Sequence, residues 1–245
     1  MVEVVGITKQ FKNVKAVDNV SFRVNNGEIV GLLGENGAGK TTTLRMLATM
    51  LKISEGKAII NGYDASKEPY KVRGEIGILF GGDVGLYDRL TARENMMYFA
   101  KLNGMSDEEA KTNIANLSSQ LEMQDYMDKR VGKFSRGMKQ KVSIARSIVH
   151  NPSVVLFDEP TTGLDVSAAR IVQNFILNCK KENKAVVFSS HSMAEVEKLC
   201  DRVVIIHKGK LVEQGTIEEL KQRYNNSDLE EVFVSLINRG EEYEG

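Results

Sequence analysis

Gly34-Glu35-Asn36-Gly37-Ala38-Gly39-Lys40-Thr41 has the spacing G-x-x-x-x-G-K-[ST]. Glycines set this way let the backbone curl until successive N–H groups point at one anion. The lysine then reaches the β- and γ-phosphates of a nucleoside triphosphate, and the threonine hydroxyl can hold Mg²⁺. Asn36, Gly37, Ala38, Gly39 and Thr42 complete the set expected to touch the nucleotide. A second run, Val154-Val155-Leu156-Phe157-Asp158-Glu159, ends an apolar strand in two carboxylates. Such a site needs one carboxylate beside the phosphate loop to organise Mg²⁺, which Asp158 supplies. Glu159 follows where it can turn toward the γ-phosphate and polarise an attacking water. The expected metal-organising pair is therefore Thr41 with Asp158, and the expected catalytic groups begin with Lys40 and Glu159.

The elements that must position these groups are legible in the pattern. Val2 to Ile7, Val20 to Val24 and Glu28 to Leu33 read as short strands, and Asn25-Asn26-Gly27 reads as a hairpin turn between the last two. Lys40 to Leu51 reads as a helix whose N-terminus faces the phosphates. Lys57 to Asn61 and Ile76 to Phe80 are further strands. From Leu90 the character becomes helical: Thr91-Ala92-Arg93-Glu94 and Ser106-Asp107-Glu108-Glu109 are capping boxes, with Gly104 placed to end the first helix. Ser153 to Phe157 and Ala185 to Ser189 are strands, and Ala168 to Cys179 is a helix. Ser192 to Cys200 is another helix, with Ser192 and Glu195 as its capping box. Val203 to His207 and Lys210 to Gln214 flank a Lys208-Gly209 hairpin, Thr216 to Glu219 caps a helix, and Asp228 to Leu236 reads either as a short helix docking on the core or as a segment whose acidic end is disordered. Strands alternating with helices beyond the phosphate loop predict an α/β fold. Its RecA-like P-loop core has a mainly parallel sheet, with an N-terminal antiparallel β subdomain and an α-helical insert. The expected division is residues 1–87 with 149–215 as the core, 88–148 as the helical subdomain, and 216–245 as a C-terminal tail.

Composition excludes several function classes. Lys plus Arg and Asp plus Glu both number 33, and the net charge is zero. Nucleic-acid binding needs a basic surface to displace condensed counterions, so no nucleic-acid partner is expected. No apolar run approaches the ~20 residues that span a bilayer, so no direct membrane insertion is expected either. The opening residues lack a charged-then-apolar leader. Cys179 and Cys200 lack metal spacing and read as buried free thiols of a reducing cytosol.

Between the two phosphate-site runs, Phe134-Ser135-Arg136-Gly137-Met138-Lys139-Gln140 is similar to the Leu-Ser-Gly-Gly-Gln signature of the ATP-binding cassette family, matching at Ser135 and Gly137 and departing at Arg136 and Met138. Pro160-Thr161-Thr162-Gly163-Leu164-Asp165 resembles that family's D-loop. His191 stands where the family has its switch histidine, and Phe11 where it has the aromatic that stacks on adenine. The resemblance covers nearly the whole chain. It implies an ATPase in which two copies sandwich two ATP, with Ser135, Gly137 and Asp165 of one copy meeting the triphosphate held by the other. His191 would hold the γ-phosphate and Glu159 in line. The partners implied are a second copy and a transmembrane permease, at the cytoplasmic side of the membrane. One departure stands out: the family's glutamine after the strand Ile76 to Phe80 is replaced, with Gly82 in its register and Asp83 next. Water is expected to complete the Mg²⁺ shell, and Gly81-Gly82 to form a hinge. Gly77-Ile78-Leu79-Phe80-Gly81-Gly82 together with Gly85 to Asn95 is similar to the sodium-efflux branch. The stretch Val84 to Arg89 is the expected permease contact. The alternatives are a soluble cassette ATPase acting on ribosomes or DNA, and an exporter subunit for a drug or peptide.

Overall fold

The first strands alternate buried and exposed side chains, the signature of sheets wet on one face. β1 (Val2–Phe11) buries Val2, Val4 and Ile7, and β2 (Val14–Val24) buries Val17, Val20, Phe22 and Val24. The two pair antiparallel through a turn at Lys12, which takes a left-handed φ of +50°. Asn25-Asn26-Gly27 does not form the expected hairpin. β3 (Ile29–Leu33) is buried at all five positions and leaves for a second sheet. A strand apolar at every position needs both faces covered, which pairing with half-solvated β2 would deny it. The structure, a computed structural model, describes residues 1–81 and 85–242. The expectations for Gly82, Asp83 and Val84 lie outside the described residues.

α1 (Lys40–Leu47) ends earlier than expected, where Ala48 closes the helix and Thr49 turns left-handed at φ +59°. β4 (Glu55–Ile60) and β5 (Tyr63–Asp64) complete a four-stranded antiparallel sheet in the order β2-β1-β4-β5. A helix the sequence pattern did not suggest, α2 (Pro69–Glu75), starts on a proline and leads into β6 (Ile76–Leu79).

The helical layer is built from α3 (Ala92–Leu102), α4 (Asp107–Gln120) and α5 (Arg136–Ser147). Both expected capping boxes are complete, at Thr91 with Glu94 and at Ser106 with Glu109. Met96, Met123 and Met127 are buried in its core.

The second sheet takes in β7 (Val154–Asp158), β8 (Ala185–Ser189), β9 (Arg202–His207) and β10 (Lys210–Thr216), in the order β10-β9-β3-β8-β7-β6, parallel apart from β10. Its strands divide their side chains between two cores. Val155, Phe157, Val186, Phe188, Val203 and Ile205 face the core shared with the helical layer. Val154, Leu156, Val187, Val204 and Ile206 face the core shared with α1 and the antiparallel sheet. This alternation fixes the register, and therefore which residues emerge at the strand ends.

α6 (Val166–Lys181) and α7 (Met193–Leu199) follow β7 and β8, and α8 (Ile217–Arg223) and α9 (Leu229–Glu242) follow β10. Leu229, Val232 and Leu236 of α9 are buried in the helical-side core, so the expected docking segment does dock.

Candidate active site

α3 to α8 each carry a hydroxyl or carboxylate cap at the N-terminus, but α1 has none and no acidic residue in its first turn. Its free N–H groups and dipole therefore face the loop before it, an arrangement suited to an anion. Gly39, at the start of this helix, has φ +108°, and a Cβ there would fall 2.5 Å from the carbonyl oxygen of Ala16 on β2. Only glycine lets the loop close against the antiparallel sheet. Glu35, Asn36, Gly37, Gly39, Lys40, Thr41, Thr42 and Glu159 line one small cavity of about 130 Å³. The Lys40 ammonium is buried and donates to the carbonyl oxygens of Gly34 (2.6 Å) and Glu35 (3.0 Å). Burial holds its pKa below the ordinary lysine value, against the opposing pull of Glu159, Asp158 and Glu35.

The parallel register of β7 beside β8 sets Asp158 opposite Ser189. Asp158 is buried and accepts from Thr41 Oγ1 at 2.8 Å and from Ser189 Oγ at 2.6 Å, one bond to each oxygen. The structure thus joins the two expected metal-organising residues directly. Glu159 leaves the strand in a left-handed conformation, φ +48°, held by its N–H donating to the carbonyl and hydroxyl oxygens of Ser189, each at 3.1 Å. Such a conformation costs a non-glycine residue about 1–2 kcal/mol. Its carboxylate accepts from Thr162 Oγ1 at 3.2 Å, and its other oxygen stands 3.6 Å from Nδ1 of the exposed His191. Lys40, Thr41, Asp158, Glu159 and His191 are therefore brought to one strand-end edge of the sheet.

The remaining site residues are placed differently. Ser135 caps α5 and accepts from the N–H of Met138, and Asp165 caps α6 and accepts from the N–H of Ala168. Gly137 lies where the starts of these two helices meet, since a Cβ on it would stand 3.0 Å from that of Ala168. Neither Ser135 nor Gly137 lines the cavities around the phosphate loop, whereas Arg136 and Gln140 do. They share a polar cavity of about 330 Å³ with Thr41, Arg45, Gly81, Asp158, Glu159 and Thr162. Phe11 is 45 % exposed at the end of β1, beneath the Lys9 ammonium, and does not line the phosphate-loop cavity.

The expected capping box at Ser192 is only half formed. Ser192 accepts from the N–H of Glu195, but the buried Glu195 carboxylate does not return to Ser192. It accepts instead from Ser190 Oγ (2.8 Å), Thr161 Oγ1 (2.7 Å) and Gln173 Nε2 (3.2 Å). A buried carboxylate needs several donors, and the loop after β7 and helix α6 offer more of them than one cap does. Sequence reasoning missed the contributions of Ser189, Thr162 and Glu195 to this site. For Ser189 the available signal was a hydroxyl ending the strand beside Asp158.

This phosphate loop, with its paired carboxylates and capped signature helix, defines a cassette-type ATPase. Residues 17–162 match the ABC transporter family, and the chain belongs to that family as a transporter ATP-binding subunit. It is 50% identical to the ABC transporter ATP-binding protein NatA of Bacillus subtilis, over 94% of this chain and 93% of the relative. It is 37% identical to the doxorubicin resistance ATP-binding protein DrrA of Mycobacterium tuberculosis, over 92% of this chain and 68% of that one. Among solved structures, the ATP-binding subunit of an ABC transporter superposes with a TM-score of 0.89, at 28% identity over 96% of this chain and 99% of the other. A dimeric ATP-binding cassette in a post-hydrolysis state bound to ADP and Pi superposes at 0.80, with 26% identity over 89% and 99%. The chain binds ATP and is an ATPase.

Proposed function

We propose that this chain powers cation efflux, with Na⁺ as the transported ion, by closing as a homodimer over two ATP beneath a separate membrane permease. The direct bond between Thr41 and Asp158, with Glu159 and His191 at the same edge, carries the reading. Lys40 and the N–H groups of Gly34 to Thr42 hold the β- and γ-phosphates, and Glu159 takes the proton of the attacking water while His191 keeps it in line. Thr41 and Asp158 offer oxygen donors of the kind Mg²⁺ prefers, and the ion would neutralise charge on the β- and γ-oxygens. Ser135, Gly137 and Asp165 of the facing copy close the site, and Phe11 stacks on adenine. The 88–148 segment acts as the lever between this site and the permease.

The relative named NatA supports the sodium reading, and the dimeric ADP-bound cassette supports the sandwich. No helix among the described residues is long and apolar enough to cross a membrane, which suits a subunit that works through a permease. A groove lined by Met50, Arg73, Ile76, Phe99, Asn103 and Arg146 separates the sheet from the helical layer. It is edged by exposed Tyr70, Tyr87 and Tyr98, linked to it by ring contacts, and Arg146 donates to the carbonyl of Gly85. This wet aromatic rim supports Gly85 to Arg89 as the permease contact.

Everted membrane vesicles carrying this chain with its permease test the reading. ATP-dependent Na⁺ uptake that Glu159→Gln abolishes is expected. Uptake of a drug or peptide with no Na⁺ movement would overturn the sodium assignment. Vanadate trapped with ADP tests the sandwich, because ultraviolet light then cleaves backbone in contact with the vanadate. Cuts at both the phosphate loop and Ser135 are expected, and cuts confined to the loop would overturn it.

A further inference from the structure

Arg136 stands where the family's signature has glycine, and the structure gives its guanidinium a specific task. Nη2 donates to the carbonyl oxygen of Thr162 at 2.8 Å. The guanidinium also packs on Gly163, where φ is +73° and a Cβ would fall 2.4–2.6 Å from its atoms. A side chain at position 163 would have to push this guanidinium aside. One turn further along α5, Gln140 Nε2 donates to the carbonyl oxygen of Pro160 at 2.7 Å. Residues at i and i+4 share a helix face, so this face of α5 grips the 160–163 loop at both ends.

The grip reaches the catalytic carboxylate. Thr162, whose backbone Arg136 holds, donates its hydroxyl to Glu159 Oε2 at 3.2 Å. Among the described residues this is the only hydrogen bond to the Glu159 carboxylate, since the 3.6 Å separation from His191 is too long to be one. We infer that Arg136 is a positioning residue for ATP hydrolysis, fixing the Glu159 carboxylate of its own protomer through Thr162. The inference rests on Glu159 being the base.

Steady-state hydrolysis and the dissociation constant of a fluorescent ATP analogue, measured separately on the purified chain, test it. Arg136→Ala and Thr162→Val should each lower kcat about tenfold, the effect of one positioned hydrogen bond, with the dissociation constant unchanged. The double variant should be no slower than either single one, because the two residues act in series. Arg136→Lys, which keeps a donor, should recover part of the rate. Undiminished kcat in Arg136→Ala would overturn the inference, as would losses that multiply in the double variant. A weakened dissociation constant at unchanged kcat would do so too, by making the guanidinium a direct phosphate contact. Thr162→Val deletes one hydroxyl from an exposed residue, so its result stands even if Arg136→Ala folds poorly. Persistent turnover in Glu159→Gln would instead refute the base assignment, an outcome read separately.

Discussion

Lys40→Ala separates two consequences that phosphate-site lysines usually confound. In the unliganded chain the ammonium makes two charge-assisted bonds, to the carbonyls of Gly34 and Glu35, each contributing about 1.5–3 kcal/mol. Removing that ammonium from water costs several kcal/mol, which is why burial dominates its lowered pKa. The two effects nearly cancel, so the variant should fold with its unliganded stability changed by no more than about 1–2 kcal/mol. Against a bound triphosphate the balance differs. A unit charge about 4 Å from a phosphate charge, at an effective dielectric of about 20, contributes about 4 kcal/mol, or roughly 10³ in the dissociation constant. Thermal melts convert this into a visible signal. With ATP at 100 times the wild-type dissociation constant, the wild-type chain gains about 2.7 kcal/mol, and the variant less than about 0.1 kcal/mol. For a chain of this size each kcal/mol moves Tm by about 2–4 °C. An ATP-induced shift of about 5–11 °C should therefore vanish in Lys40→Ala, while the melt without ATP moves by no more than about 2–8 °C. A full-sized ATP shift in the variant would refute the phosphate contact. Collapse of the unliganded fold would refute the cancellation.

Glu159→Gln should keep ATP binding and lower kcat about 10²- to 10⁴-fold, the usual contribution of a general base; light scattering should then find an ATP-held dimer, and monomer alone would contradict the sandwich. Ser135→Arg removes the hydroxyl that caps α5, costing about 1 kcal/mol of stability. It should leave the phosphate loop's own ATP affinity intact while depressing hydrolysis, and an unchanged rate would argue that the serine serves no facing copy. His150 supplies a pH test. Its Nε2 lies 3.1 Å from the carbonyl of Ile76, which only accepts, so the neutral ring is protonated there and its buried Nδ1 has no hydrogen-bond partner. Burial lowers its pKa below the usual histidine value. A group with a depressed folded pKa contributes stability that is present above the unfolded value and lost as pH falls through the folded one. Tm should therefore drop as pH falls below about 6.5, and less steeply in His150→Asn. Parallel pH profiles for the two proteins would remove His150 as the source.

The fold was legible wherever a local rule and the tertiary context agreed. Thr91 with Glu94, Ser106 with Glu109 and Thr216 with Glu219 form complete capping boxes, each carboxylate returning to its own cap N–H. The continuous apolar runs at Ile76, Val154, Ala185 and Val203 became doubly covered strands for the reason such runs always need two cores. The Asn25-Gly27 turn failed because turn chemistry specifies a reversal but not the partner of the strand that leaves it. Gly27 donates to the carbonyl of Lys184, so the turn is anchored to the far sheet rather than closing a ladder with β2. In the site, the expected residues that stand within a sequence motif, Lys40, Thr41, Asp158 and Glu159, lie together. Ser189, which acts from the neighbouring strand, was not legible, because its pairing with Asp158 depends on a register that the pattern of one strand does not contain. The Thr162 hydroxyl was not either, because its bond to Glu159 depends on how the loop after β7 folds back.

Glu195 shows why the local rule loses where it does. As a capping partner it would serve one exposed N–H, gaining little over water. Buried, it gathers hydroxyls from Ser190 and Thr161 and the amide of Gln173, three donors from three segments. Removing such an acceptor leaves each donor unsatisfied at about 1–3 kcal/mol, so the network outweighs the cap. Its position matters more than its energy. Ser190 immediately precedes His191, and Thr161 lies two residues after Glu159 in the loop that Arg136 grips. Glu195 therefore ties the segment that carries His191 to the loop that follows Glu159. For the base and switch roles proposed for Glu159 and His191, that link outweighs a completed helix cap.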